Sequence, residues 1–143
     1  MKKHLIVILV IFSFISCNKI ETHQTLDKED IKYIKSLNLL TDGENIYKFY
    51  SEYKKDVAGN FFTDRRIATY WIDNRNPKKN EINSAYYKEI KKIDTVFNAG
   101  ATYTPYILVT KINGNTFKVS VDGDKKEISA FFKDVLREWK TKR

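Results

Sequence analysis

Cysteine occurs once in these 143 residues, histidine and proline twice each, and glycine five times. A single cysteine excludes an internal disulfide and any metal or redox centre built on paired thiols. The two histidines, His4 and His23, both lie near the N-terminus. The rest of the chain therefore offers no imidazole as base or ligand, and acid-base chemistry would fall to carboxylates alone. So few glycines leave no phosphate-cradling Gly-rich loop. Asp122-Gly123-Asp124 lacks the later glutamate of a calcium loop and reads as a strand-to-helix turn. No apolar run reaches the roughly 20 residues that cross a bilayer as a helix. The longest, Leu5 to Ile15, has ten apolar residues out of eleven.

That run follows Met1-Lys2-Lys3-His4, a short basic region, which makes it the hydrophobic segment of an export signal. Phe14-Ile15-Ser16-Cys17 then resembles the lipobox of bacterial lipoproteins, where a small residue precedes an obligatory cysteine. The resemblance implies cleavage before Cys17, a thioether-linked diacylglycerol on its sulfur and often a third chain on its amino group. Two or more chains anchor a protein stably where one gives marginal binding. Lipidation also accounts for the lone cysteine. Asn18 stands where retained inner-membrane lipoproteins commonly carry aspartate. The expected location is thus the cell envelope, on the outer membrane facing the periplasm if the cell has two membranes. Residues 1–16 are read as signal, 17–25 as a polar tether, and 26–143 as one domain.

Removal of the signal takes Lys2 and Lys3 and lowers the net charge from +8 to +6. The cations are spread along the chain, so the surface has a basic bias that suits anionic headgroups or acidic partners. Nucleic acid is not expected of an exported protein, and no cofactor or metal site is expected either.

Apolar spacing at Ile31, Ile34 and Leu37 after Asp27 predicts a short helix with acidic Glu29 and Asp30 in its first turn. Aromatic and β-branched residues then predict strands near 45–53, 60–63 and 66–73. Residues 74–83 read as a loop and 87–97 as a further strand before an Asn98-Ala99-Gly100 break. Tyr106–Ile112 and Thr116–Val121, joined at Asn113-Gly114, predict a hairpin with positive φ angles at its turn. Ile128, Phe131, Phe132, Val135, Leu136 and Trp139 keep helical spacing behind an Asp124/Glu127 capping box. An aromatic stripe of this kind is a core-facing surface.

A curved antiparallel sheet or partly open barrel of six to seven strands with a C-terminal amphipathic helix, preceded by a short N-terminal helix, resembles the bacterial pleckstrin-homology-like domains. The resemblance runs over about 43–140. Gly43-Glu44, Gly59-Asn60-Phe61-Phe62-Thr63-Asp64-Arg65-Arg66-Ile67 and Glu89-Ile90-Lys91-Lys92-Ile93 carry it. It implies a non-catalytic binding module for a protein, peptide or lipid headgroup. Another α+β roll with a helix across an antiparallel sheet is the competing fold.

Adjacent guanidinium groups at Arg65 and Arg66 can hold a phosphate or carboxylate by bidentate hydrogen bonds, or serve the fold by pairing with Asp64 or a neighbouring strand. Trp71, with Tyr86, Tyr87, Tyr103 and Tyr106, is a candidate exposed aromatic patch for a partner. The alternative function is a carboxylate-dependent envelope hydrolase, which requires at least two of Asp64, Asp73 and Asp94 to converge in one pocket.

Overall fold

Two antiparallel sheets face each other, and the C-terminal helix covers one side of the gap between them. The computed structural model describes residues 20–98 and 104–143. The signal run and Cys17 lie outside that range, as do Tyr103 and most of the break at 98–100. The first sheet takes five strands in order: β1 (Ile20–Glu21), β2 (Ile46–Tyr50), β3 (Ala58–Thr63), β4 (Arg66–Trp71) and β5 (Glu81–Tyr86). The second takes β6 (Ile90–Val96), β7 (Tyr106–Lys111) and β8 (Thr116–Ser120). Helix α1 (Lys28–Ser36) connects β1 to β2, and helix α2 (Lys125–Lys142) ends the chain. The α+β class and the C-terminal helix hold as read from sequence, while among the described residues the strands number eight and divide into two sheets.

At its centre the first sheet is buried on both faces, so every position of β3 is buried, while β5 at its edge is largely exposed. Its outer face packs Phe49, Phe61, Ala68 and Tyr70 under α1 and the segment after it, through Ile34, Leu39 and Leu40. Its inner face carries Phe62, Ile67 and Ala85 against Ile107, Val109 and Val119 of the second sheet. Gly59 sits where a Cβ would overlap the Tyr70 and Phe49 rings, so this strand position accepts no side chain. Helix α2 buries Ile128, Phe131, Phe132, Val135 and Trp139 as its spacing requires. Phe131 meets Phe62 edge-on at 5.2 Å, and the Trp139 indole N–H donates to the Ile90 carbonyl at 3.3 Å. Five large apolar side chains at about 1.5–3 kcal/mol each make this the main attachment of the helix. Its capping box forms as expected, with Glu127 N donating to Asp124 at 2.8 Å and Asp124 N to Glu127 at 3.2 Å.

Four sequence expectations change. The stretch 20–25 is not tether: Ile20 pairs with Tyr50, Glu21 with Phe49, and His23 N donates to the Ile46 carbonyl at 3.1 Å. Polar composition hid a strand whose pairing comes entirely from the distant β2 edge. The predicted 74–83 loop contains a 3-10 turn at Pro77–Lys79 and the start of β5, which pairs with all of β4 from Arg66↔Tyr86 to Trp71↔Glu81. Asn, Ser and Ala give β5 little strand propensity, and its register is imposed by β4. Tyr87–Glu89 is a 3-10 turn, so the strand expected from 87 begins at Ile90. In the Asn113-Gly114 hairpin only Gly114 has positive φ, +88°. Gly114 N donates to Lys111 O and Lys111 N to Asn115 O, the three-residue loop with a bulge rather than a two-residue turn.

Candidate functional site

The β3–β4 turn, Thr63 to Arg66, organises one end of the first sheet. Thr63 is fully buried, and its hydroxyl accepts from the backbone N–H groups of Arg65 and Arg66, both at 2.9 Å. That local bonding closes a tight turn and turns the two arginines apart. Asp64 Oδ1 accepts from Asn45 N at 2.9 Å, which pins the turn to the entry of β2.

Arg66 goes inward. Its Nε and Nη2 donate to the two carboxylate oxygens of Glu44 at 2.9 and 2.8 Å, and Nη1 donates to the Asn38 carbonyl at 3.3 Å. The Tyr86 ring lies 4.5 Å from the guanidinium carbon, a cation–π stack across the Arg66↔Tyr86 pair. Glu44 also accepts from the Thr63 hydroxyl at 2.7 Å and from the N–H and hydroxyl of Thr41 at 3.0 and 2.8 Å. Burial pushes the Glu44 carboxyl up. The hydrogen bonds from Arg66, Thr63 and Thr41 outweigh it and hold the group below its ordinary value. With side chains 4% and 0% exposed, this bidentate pair is structural. Arg66 as an anion or partner contact is therefore corrected, because its donors are consumed inside the protein.

Arg65 goes outward. One Nη donates to the Thr41 hydroxyl at 3.1 Å, and the rest of the fork is exposed. It lines a cleft of 260 Å³ with Asp64, Tyr86, Tyr87, Lys88 and Lys142. Lys142 is held on three sides. Its ammonium donates to the Asp64 carbonyl at 2.8 Å, pairs with Glu138 at 2.7 Å and lies 5.3 Å from the Tyr47 ring centre. Partial burial pulls its proton affinity down, but Glu138 and Tyr47 raise it on balance and keep the group cationic. Lys142 adds charge to the cleft, while Arg65 and exposed Lys88 supply the free donors. The Tyr87 hydroxyl donates to the Thr63 carbonyl at 2.6 Å and makes a rigid wall, and burial raises its pKa strongly. Three cations thus surround a cleft with one lining carboxylate, Asp64.

Trp71 is 43% exposed but lies elsewhere. It ends β4, five residues beyond Arg66, roughly 17 Å along the strand. There it lines a separate 340 Å³ pocket with Glu52, Asn60, Thr69, Glu81 and Ser120. The expected aromatic patch does not assemble as a unit, since Tyr87 is core and Tyr106 sits under Lys118 at 4.5 Å. Sequence reading missed Lys88 and Lys142, which join Arg65 only because β5 and the end of α2 close on the turn.

The three aspartates do not converge. Asp64 and Asp73 flank opposite ends of β4, and Asp94 is on β6 in the other sheet. Asp73 accepts from Arg75 N and Asn76 N at 2.9 and 3.1 Å, and Asp94 pairs with Lys92 at 2.9 Å. Among the described residues, no three His, Cys, Asp or Glu side chains gather closely enough to hold a metal ion.

No protein-family model matches the chain, and no curated protein does. Solved structures similar to it include two from Shewanella. One is a DUF1696 family protein with a pleckstrin-homology domain from Shewanella loihica PV-4, 14% identical, aligned over 79% of this chain and 97% of that one with a TM-score of 0.48. The other is a pleckstrin homology domain from Shewanella amazonensis SB2B, 17% identical, aligned over 70% and 85% with a TM-score of 0.45.

Proposed function

We propose that this chain is a lipid-anchored, non-catalytic binding module of the cell envelope, on the outer membrane facing the periplasm in a cell with two membranes. Its cleft between Arg65, Lys88 and Lys142 receives an anionic group, phosphate or carboxylate, of a protein, peptide or lipid headgroup. The observation that carries the reading is the division of labour at the β3–β4 turn. The buried Glu44–Arg66 pair fixes the turn, and the neighbouring Arg65 is left with free donors beside two further cations. The absence of His and Cys outside the N-terminal region, and the separation of Asp64, Asp73 and Asp94, favour binding over catalysis.

Titration of the mature chain with inorganic phosphate, followed by amide chemical shifts, tests the cleft. Saturable shifts at Arg65, Tyr86 and Lys88, abolished in Lys88→Glu and in Arg65→Glu, are expected. Shifts spread evenly over surface lysines would overturn it. Intact mass of membrane-extracted protein beside Cys17→Ala tests the anchor separately, with an acyl mass shift expected only in the wild type.

A further inference from the structure

We infer that the domain rides directly on its bilayer by the β1 end, so that the Arg65–Lys88–Lys142 cleft opens to the aqueous compartment and takes an anion from outside that bilayer. The inference rests on the lipid-anchor reading of Cys17, and it follows from the position of β1 in the sequence. Ile20 is already a paired residue of β1, so three peptide steps separate it from Cys17 and can span only about 10 Å. A domain of this size has a radius of gyration of about 14 Å. A leash shorter than that radius does not let the domain turn freely. It brings Ile20 to a headgroup layer only some 6 Å deep.

The residues around Ile20 then define the bilayer face. On one side lies the loop after β2, held to β1 by Lys55, which bonds Glu21 at 2.8 Å and Asp30 at 2.9 Å. Its Tyr53, 64% exposed, and Lys54 are the residue types that settle at a membrane interface. On the other side Ile20 shares a shallow, mostly apolar depression with Lys48, Lys126 and Ala130 at the start of α2. Acidic groups lie among these lysines: Lys48 pairs with Asp134 at 2.7 Å, and Glu127, which also lines the depression, is committed with Asp124 to the helix cap. The leash, rather than net charge, is what holds this face down. Lys142 stands sixteen residues along α2 from Lys126, about 24 Å away, and the β3–β4 turn adjoins Asn45 at the other end of β2 from Tyr50. The cleft is thus at the far end of the molecule from the anchor.

Because lipidation blocks Cys17, one introduced cysteine can be labelled uniquely in the full acylated chain. Tyr53→Cys, Lys126→Cys and Lys88→Cys variants carry a nitroxide in vesicles of phosphatidylethanolamine and phosphatidylglycerol, with intact mass confirming the acyl chains. Collisions with a water-soluble paramagnetic reagent are expected to fall several-fold at 53 and 126 relative to 88. A long Gly-Ser insertion after Lys19 should restore them. Shielding at 88 with exposure at 53, equal exposure at all three, or shielding that survives the insertion would each overturn the orientation while leaving the anchor intact. A chain without acyl mass would overturn the anchor itself and the orientation with it.

Discussion

Both ends of the five-stranded sheet hold a polar network in the protein interior, yet they are built from opposite materials. At the β3–β4 turn the network is ionic: Glu44 and Arg66 satisfy one another with Thr41, Thr63 and the Asn38 carbonyl. At the other end it centres on the amide of Asn60, 3% exposed, which donates to Glu52 at 2.6 Å and accepts from Thr69 at 3.0 Å and from Ser120 N at 2.9 Å. The ionic network lies within the first sheet and the segment before it, and sets the shape of the cleft. The amide network reaches across to β8 and ties the two sheets together. A buried charge is thus employed for local shape and a buried amide for assembly, and the residues that remain for function are the exposed neighbours of each.

The largest effect should come from splitting the ion pair. Arg66→Ala leaves Glu44 buried without its partner, and chemical denaturation should show a loss of about 3–5 kcal/mol. Asn60→Ala orphans Ser120 N and should cost about 1–3 kcal/mol, with faster amide exchange in β8 as the mark that the sheet-to-sheet tie was cut. Glu44 also links stability to pH. Its carboxyl is held below the ordinary value in the fold, so its contribution is complete above the unfolded value of 4.5 and fades as pH falls through the lower folded value. Unfolding stability measured from neutral pH downward should fall more steeply once pH drops below about 4.5 in the wild type and be flatter in Glu44→Gln, whose starting stability is lower. Arg65→Ala, next door to Arg66, should change stability by less than about 0.5 kcal/mol while weakening phosphate binding. Equal losses for Arg65→Ala and Arg66→Ala would erase the distinction drawn between them. The smallest effect is expected for Trp71→Ala, which should leave both stability and cleft binding nearly unchanged, read by the same titration.

Much of the local structure was legible before any coordinates. Asp27, Asp124 and Glu127 marked helix starts, the spacing from Ile128 to Trp139 marked the buried face of α2, and the two runs joined at Asn113-Gly114 marked β7 and β8. These signals are local, since a cap or an amphipathic period is decided within a turn or two of its own residues. β1 and β5 were not legible, because their sequences are polar and their strand state comes from pairing with β2 and β4. The site divided in the same way. Arg65 was visible as a candidate, but nothing local distinguishes it from Arg66. Only the placement of Glu44, twenty-two residues earlier, sends one guanidinium inward.

By itself the sequence determined the α+β class, the helix boundaries, the confinement of cysteine and histidine to the first 23 residues, and the expectation of a lipid-bearing Cys17. Tertiary structure alone decided which arginine is buried, that Lys142 stands beside residue 64, and how few residues separate Cys17 from the first strand. The physical reason is range: propensity, capping and periodicity act over a few residues, while burial, ion pairing and strand pairing depend on partners that only the closed chain brings together.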